Sequence, residues 1–209
     1  MIPVNEETKK THKPCLQVAW NVQVYDRDNK LVEEKSGQNS LLVAFATKLA
    51  GLLYDTASTY KDITNTSQAA FYTYPDGSSG YVVTGMPCSG GGFGLTTTGI
   101  VLGTNNTAVT ADDYKLNTII ANGTGGSQLL YLAGGGTGVV TAAPVSSFVI
   151  DRVILNHSGG TITIKELGIY SIAPAGITFC LCRDIIADPG ADIDDGEYMY
   201  VKYTISVTT

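Results

Sequence analysis

Charge is scarce in this 209-residue chain: Asp, Glu, Lys and Arg make up 15% of it, with 19 acidic against 13 basic residues and a net charge of −6. Proteins that follow a nucleic-acid backbone gather Lys and Arg on one face. Here the single basic cluster, Lys9, Lys10, His12 and Lys13, sits beside Glu6 and Glu7. Residues 1–14 are therefore expected to be a flexible polar arm, and nucleic acid is not expected as a partner. Long apolar runs are missing too. Nothing approaches the roughly 20 residues of a membrane span, and the first fourteen residues carry charges where a secretory signal needs an apolar stretch. The expectation is a soluble chain made in the cytoplasm, with no membrane partner.

Histidine is rarer still. His12 falls in the arm and His157 in a short turn, so general acid–base chemistry has few carriers. The four cysteines, Cys15, Cys88, Cys180 and Cys182, are too few and too unevenly spaced for a disulfide framework in a chain of this size. They are expected to be buried thiols, with Cys180 and Cys182 on one face of a strand. The glycine-rich stretches 90–94 and 134–138 lack the Lys-Ser/Thr of a phosphate loop and are expected to be flexible loops. Asp192, Asp194 and Glu197 offer oxygen ligands for calcium but depart from the spacing of a helix–loop–helix calcium site. Asp112, Asp113, Asp192 and Asp194 are the carboxylates a hydrolase would have to bring together, and their turn-rich surroundings favour solvated roles. The sequons at Asn65, Asn105, Asn122 and Asn156 arise readily in a chain rich in Asn, Ser and Thr. No cofactor and no enzymatic activity are expected.

Glycine, at 24 residues, and tyrosine, at 12, are plentiful, as turns and pleated strands require. Residues 16–24 alternate cleanly, with Leu16, Val18, Trp20, Val22 and Val24 on one side and Gln17, Asn21 and Gln23 on the other, the signature of a half-buried strand. Residues 26–29 supply a turn and 30–35 a returning strand. Leu41, Leu42, Phe45, Ala46, Leu49, Leu52 and Leu53 recur at helical spacing, with Ser36 or Asn39 as candidate N-cap. Residues 54–79 read as a long surface excursion. Short strands are then expected at 81–84, 100–102, 107–109, 116–120 and 128–132, and longer ones at 148–155, 161–170, 177–185 and 198–207.

The clearest unit is 148–170, expected to be a hairpin closed by residues 156–160. Ile162 and Ile164 share one face while Leu167 and Ile169 share the other, which predicts a β-bulge near Lys165-Glu166. Gly168 suits a close backbone approach. Glu166, in phase with Ile162 and Ile164, is expected to pair with Arg152 or Arg183 at the edge of the core and to hold strand register. Tyr72, Tyr74, Tyr81, Phe93, Tyr198 and Tyr200 are candidates for an interface or a sugar-stacking platform.

Residues 103–116, Asn122-Gly-Thr-Gly125, 128–131, 148–170, Cys182-Arg-Asp184, Asp195-Gly-Glu197 and 201–205 form a pattern that resembles structural proteins of tailed bacteriophages, as does Lys35-Ser-Gly-Gln-Asn-Ser40 before an apolar helix. The likeness covers roughly residues 35–53 and 99–209. It implies a virion component, capsid-associated, decorating or in the tail region, that assembles as a homo-oligomer with itself and other virion proteins and resides in the virion. The fold class expected is mainly β: an antiparallel, jelly-roll-like β-sandwich with one amphipathic helix and long Gly/Ser/Thr-rich loops. It would form a single domain over 15–209 with an irregular excursion at about 54–98. The alternative is a carbohydrate-binding or receptor-binding module of a tail fibre or surface protein.

Overall fold

The computed structural model describes residues 15–38, 40–54, 59–69, 72–73, 81–82, 88, 91–173 and 176–208. The expected arm at 1–14, the candidate cap Asn39, Tyr74 and much of the 54–98 excursion lie outside them. The elements run β1 (Cys15–Tyr25), β2 (Leu31–Gln38), α1 (Val43–Tyr54), β3 (Thr59–Lys61), β4 (Ser67–Ala69), β5 (Tyr72–Thr73), β6 (Tyr81–Val82) and β7 (Gly99–Gly103). They continue with β8 (Leu130–Tyr131), β9 (Gly135–Gly136), β10 (Val140–Ala142), β11 (Val145–Leu155), β12 (Ile162–Ile164) and β13 (Glu166–Ile172). β14 (Thr178–Ile185), β15 (Ala191–Ile193) and β16 (Tyr198–Thr208) complete the set. The protein is mainly β with antiparallel sheets packed in a sandwich-like arrangement.

The large sheet has the order β10-β11-β16-β1-β2, and β8 and β9 also pair with β11. Its strands behave as their alternation dictates. Val18, Trp20, Val22 and Val24 are buried, and across the ladder so are Met199, Val201 and Tyr203. The small sheet, β14-β13-β7, obeys a different rule. All five residues of β7 are buried, as is nearly every residue of β13 and β14. A sheet buried on both faces needs continuous apolar runs rather than alternation.

One face of the small sheet meets the large sheet, where Ile100, Leu102, Leu167, Ile169 and Cys182 join the main core. The other face carries a second cluster of Leu42, Val101, Leu116, Tyr170 and Cys180, with Val109 and Ile119 packed against it. The residues 107–109 and 116–120 expected as strands lie here without forming any. Several of their backbone donors go to side chains instead, Thr107 N to Asn105 Oδ1, Leu116 N to the Tyr170 hydroxyl, and Asn117 and Thr118 N to Glu166, while Ile119 makes an isolated bridge to Gly103 and Ile120 N bonds Leu102 O. A chain whose N–H groups find such acceptors has no need of a ladder.

Residues 148–170 are not a hairpin. β11 pairs with β16, whereas β12 pairs with β15, and β13 with β14 and β7. Residues 156–160 thus carry the chain from one layer to the other. Asn156, fully buried, anchors the crossing by donating from Nδ2 to Gly160 O and Ile193 O, both at 2.7 Å. Alternation marks the face a strand buries but not its partner, and a glycine-rich turn serves either connection.

The change of phase near Lys165 is a change of partner rather than a bulge. Pairing passes there from β15 to β14 and β7. The actual bulge is at Leu181, where the β13–β14 register shifts between Ile169 and Tyr170. As a result Cys180 and Cys182 fall in different clusters instead of sharing a face. Cys15, expected to be buried, is exposed.

The helix starts later than expected. Ser36 belongs to β2, and Leu41 bridges Cys182 while Leu42 N bonds Leu181 O, so these residues extend along the β14 edge before α1 turns away. Within the presumed surface excursion, β3 and β4 form a hairpin whose Tyr60 is buried with its ring 5.0 Å from that of Phe179. No helix among the described residues is long and apolar enough to cross a membrane.

Candidate functional site

Glu166 and Arg183 meet on the outer face of the small sheet. Arg183 Nε donates to Glu166 Oε2 at 2.8 Å, and both side chains are fully buried. The same guanidinium reaches Asp113 Oδ2 at 2.8 Å and Thr107 O at 2.9 Å. Glu166 also accepts from Thr118 N at 2.7 Å and Asn117 N at 3.1 Å. Of the two partners considered for Glu166, the structure selects Arg183, and the pair sits inside the protein rather than at its rim. Burial lowers the Arg183 pKa, but the hydrogen bonds and charges of Glu166 and Asp113 outweigh it and hold the group above its usual value. Gly168, beside them, is indeed a point of close approach: a Cβ there would lie 2.6 Å from both Cys182 O and Leu116 Cδ1.

Arg152 is buried with no carboxylate partner among the described residues. Its donors are taken by four backbone carbonyls: Nε by Leu132 O at 2.8 Å, Nη1 by Ile100 O at 2.8 Å and Thr98 O at 3.3 Å, and Nη2 by Gly92 O at 3.0 Å. Its guanidinium carbon stands 4.9 Å from the Tyr131 ring centroid, a cation–π contact. The Tyr131 hydroxyl in turn donates to Ile120 O at 3.0 Å. Residues 91–94, expected to be a flexible loop, are therefore part of the arginine's cage. Gly91 is buried against it, and Gly134 N bonds Gly91 O at 2.7 Å. No sequence signal identified carbonyls as the partners, although two Gly-rich segments flanking apolar strands are what close backbone packing around a large side chain requires.

The calcium candidates lie in and beside β15. Asp192 accepts from the Thr163 hydroxyl, Asp194 from that of Thr161, and Glu197 Oε2 from Asp194 N. Among the described residues, no group of three or more His, Cys, Asp or Glu side chains is placed to hold a metal ion. The four aspartates a hydrolase would need are dispersed: Asp113 is paired with Arg183, Asp112 is exposed, and Asp192 and Asp194 are engaged by threonines of β12 and the turn before it. His157 is exposed in its turn.

Two further ionisable groups sit deep. Asp184 faces the core, accepting from Ser40 N at 2.7 Å and standing 3.5 Å from the Tyr203 hydroxyl. Burial pushes its pKa up to about 7. Lys48 of α1 lies over the rings of Tyr60 and Phe179, and burial brings its pKa down to about 8.

The interface candidates divide. Tyr72 and Tyr81 fall on the small β5–β6 ladder, and Phe93 is 65% exposed in the Arg152 cage loop. Tyr198 and Tyr200 lie on the outward face of the large sheet. Tyr198 stacks on Tyr25 with ring centroids 5.0 Å apart at 10°, a partner that sequence reasoning missed. The eleven-residue alternation of β1 and β16 places the two tyrosines on one face, but their register had to be seen. The Tyr200 hydroxyl donates to Asp151 at 2.9 Å.

The chain matches no family model, no curated protein and no solved structure.

Proposed function

We propose that this chain is a structural component of a bacteriophage virion, assembling in several copies on the capsid or tail. The observation that carries this reading is the state of the large sheet's borders. Among the described residues neither β10 nor β2 has a neighbour on its outer edge. Open edges invite strand addition by another chain, which is how many assembly proteins complete one another. The β10 border is apolar as well, with Val139 and Val140 69% and 61% exposed. β2 carries Glu33, Glu34 and Lys35, charges that discourage indiscriminate pairing. The resemblance of 99–209 to phage structural proteins points the same way, and the buried charged groups described above act as fasteners rather than as reacting groups.

The test is association. Sedimentation velocity of the full chain should show a concentration-dependent assembly, and Val140→Lys should shift it towards monomer while leaving the melting temperature unchanged. Quantitative mass spectrometry of purified particles should find the chain in multiple copies. A strict monomer that is also missing from particles would refute the proposal.

A further inference from the structure

The outward face of β1, β2 and β16 is uncovered by any described element. Register places its residues in rows across the strands. Tyr198 stands beside Tyr25, then Tyr200 beside Gln23 and Glu34, then Lys202 beside Asn21 and Ser36, then Thr204 beside Ala19 and Gln38. The first two rows form an aromatic platform. Gln23 and Glu34 of the second row join the next two in lining a shallow groove of about 490 Å³ with amide, hydroxyl, carboxylate and ammonium groups. That volume falls among those typical of small-ligand sites, roughly 300–1,000 Å³.

The groove is organised in advance. Glu34 Oε1 accepts from Asn21 Nδ2 at 2.8 Å and from Gln23 Nε2 at 3.0 Å, and Tyr25 donates its hydroxyl to Gln23 Oε1 at 3.0 Å. The hydrogen bonds from Asn21 and Gln23 hold the Glu34 pKa below its ordinary value. The second carboxylate oxygen, Oε2, takes no hydrogen bond among the described residues. Asn21 Oδ1 is enclosed beneath the groove, without a donor among the described residues and too shielded to meet a ligand directly. Side chains already fixed by one another lose little entropy when a ligand arrives.

We propose that this face binds a neutral oligosaccharide. A pyranose ring has an apolar C–H face, suited to a tyrosine surface, and a rim of hydroxyls, suited to planar amides, a carboxylate and an ammonium at sheet spacing. On this face Glu34 and Asp151, the register partner of Lys202, outnumber the one ammonium, so nothing there selects a phosphate or an acidic ligand. The pairing of aromatic row and polar groove is the argument for a sugar over a second copy of the chain, whose contact would favour an apolar centre. The inference stands independently of assembly into a virion.

The experiment is a nitrogen–proton NMR titration of the full chain with a panel of soluble neutral gluco-, galacto-, manno- and N-acetylglucosamine oligosaccharides. At least one should shift resonances confined to residues 19–25, 34–38 and 198–204. Tyr200→Ala and Glu34→Ala should each weaken that binding about tenfold or more, with melting temperatures near wild type. Tyr200→Phe, which keeps the ring, should retain most of it. A panel without any binder, shifts elsewhere on the molecule, or affinity unchanged in both alanine variants would overturn the proposal. So would self-association lost in those variants with no response to sugar, which would make the face a contact between copies.

Discussion

The two sheets solve opposite problems. The large sheet buries one face and opens the other, so its strands alternate and its polar groups point outward. The small sheet is buried on both faces, and its outer cover is irregular chain rather than a third sheet. Irregular chain arrives with unpaired N–H groups, and they have to be satisfied from below. Glu166, Tyr170 and Arg183 perform that task, accepting from residues 116–118 and donating to residues 107 and 113. Arg152 works in the reverse sense, reaching from the large sheet to gather carbonyls of β7, of the segment before it and of Leu132 just after β8. The lesson is that interior charge here fastens loops. The surface left free for recognition is the open side of the large sheet.

The largest expected effect comes from breaking the buried ion pair. Glu166→Ala leaves buried Arg183 with the partly exposed Asp113 and the Thr107 carbonyl and strips acceptors from Asn117 and Thr118, and should cost about 3–5 kcal/mol by chemical denaturation. Next is the pH dependence set between the sheets. The Asp184 pKa is raised from 3.8 to about 7 by burial, against the opposing hydrogen bonds of Ser40 and Tyr203. The folded state therefore keeps this proton after the unfolded chain has lost it. Its contribution is complete below about pH 4, falls away as pH rises to about 7 and is constant above that, an upper bound of about 4 kcal/mol. Asp184→Asn, which keeps an acceptor for Ser40, should flatten that part of the stability profile. Arg152→Met should cost less than Glu166→Ala, about 2–3 kcal/mol, because it strands neutral carbonyls and no opposite charge. A larger loss for Arg152→Met than for Glu166→Ala would reverse the ranking of the two fasteners.

Much of this was legible in the residues. The alternation of 16–24 marked the inward set Val18, Trp20, Val22 and Val24 along with Leu16, which is exposed, Arg183 was one of the two partners expected for Glu166, and the bare Gly168 marked a close approach. What stayed hidden depended on long-range partners. Periodicity could not say that β11 pairs with β16 rather than with the strand that follows it. Nor could it place the bulge at Leu181 that separates Cys180 from Cys182, or turn 107–109 and 116–120 from strands into a cover held largely by side chains. The Tyr25–Tyr198 stack is hidden for the same reason, since it exists only in the β1–β16 register.

The most direct test of this division of labour is amide hydrogen exchange of Glu166→Ala against wild type under native conditions. Exchange should accelerate selectively at Asn117, Thr118 and their neighbours in 104–120, while β1 and β16 keep their relative protection. Uniform loss of protection across both sheets, or no change at 116–118, would contradict the claim that Glu166 fastens the cover of the small sheet.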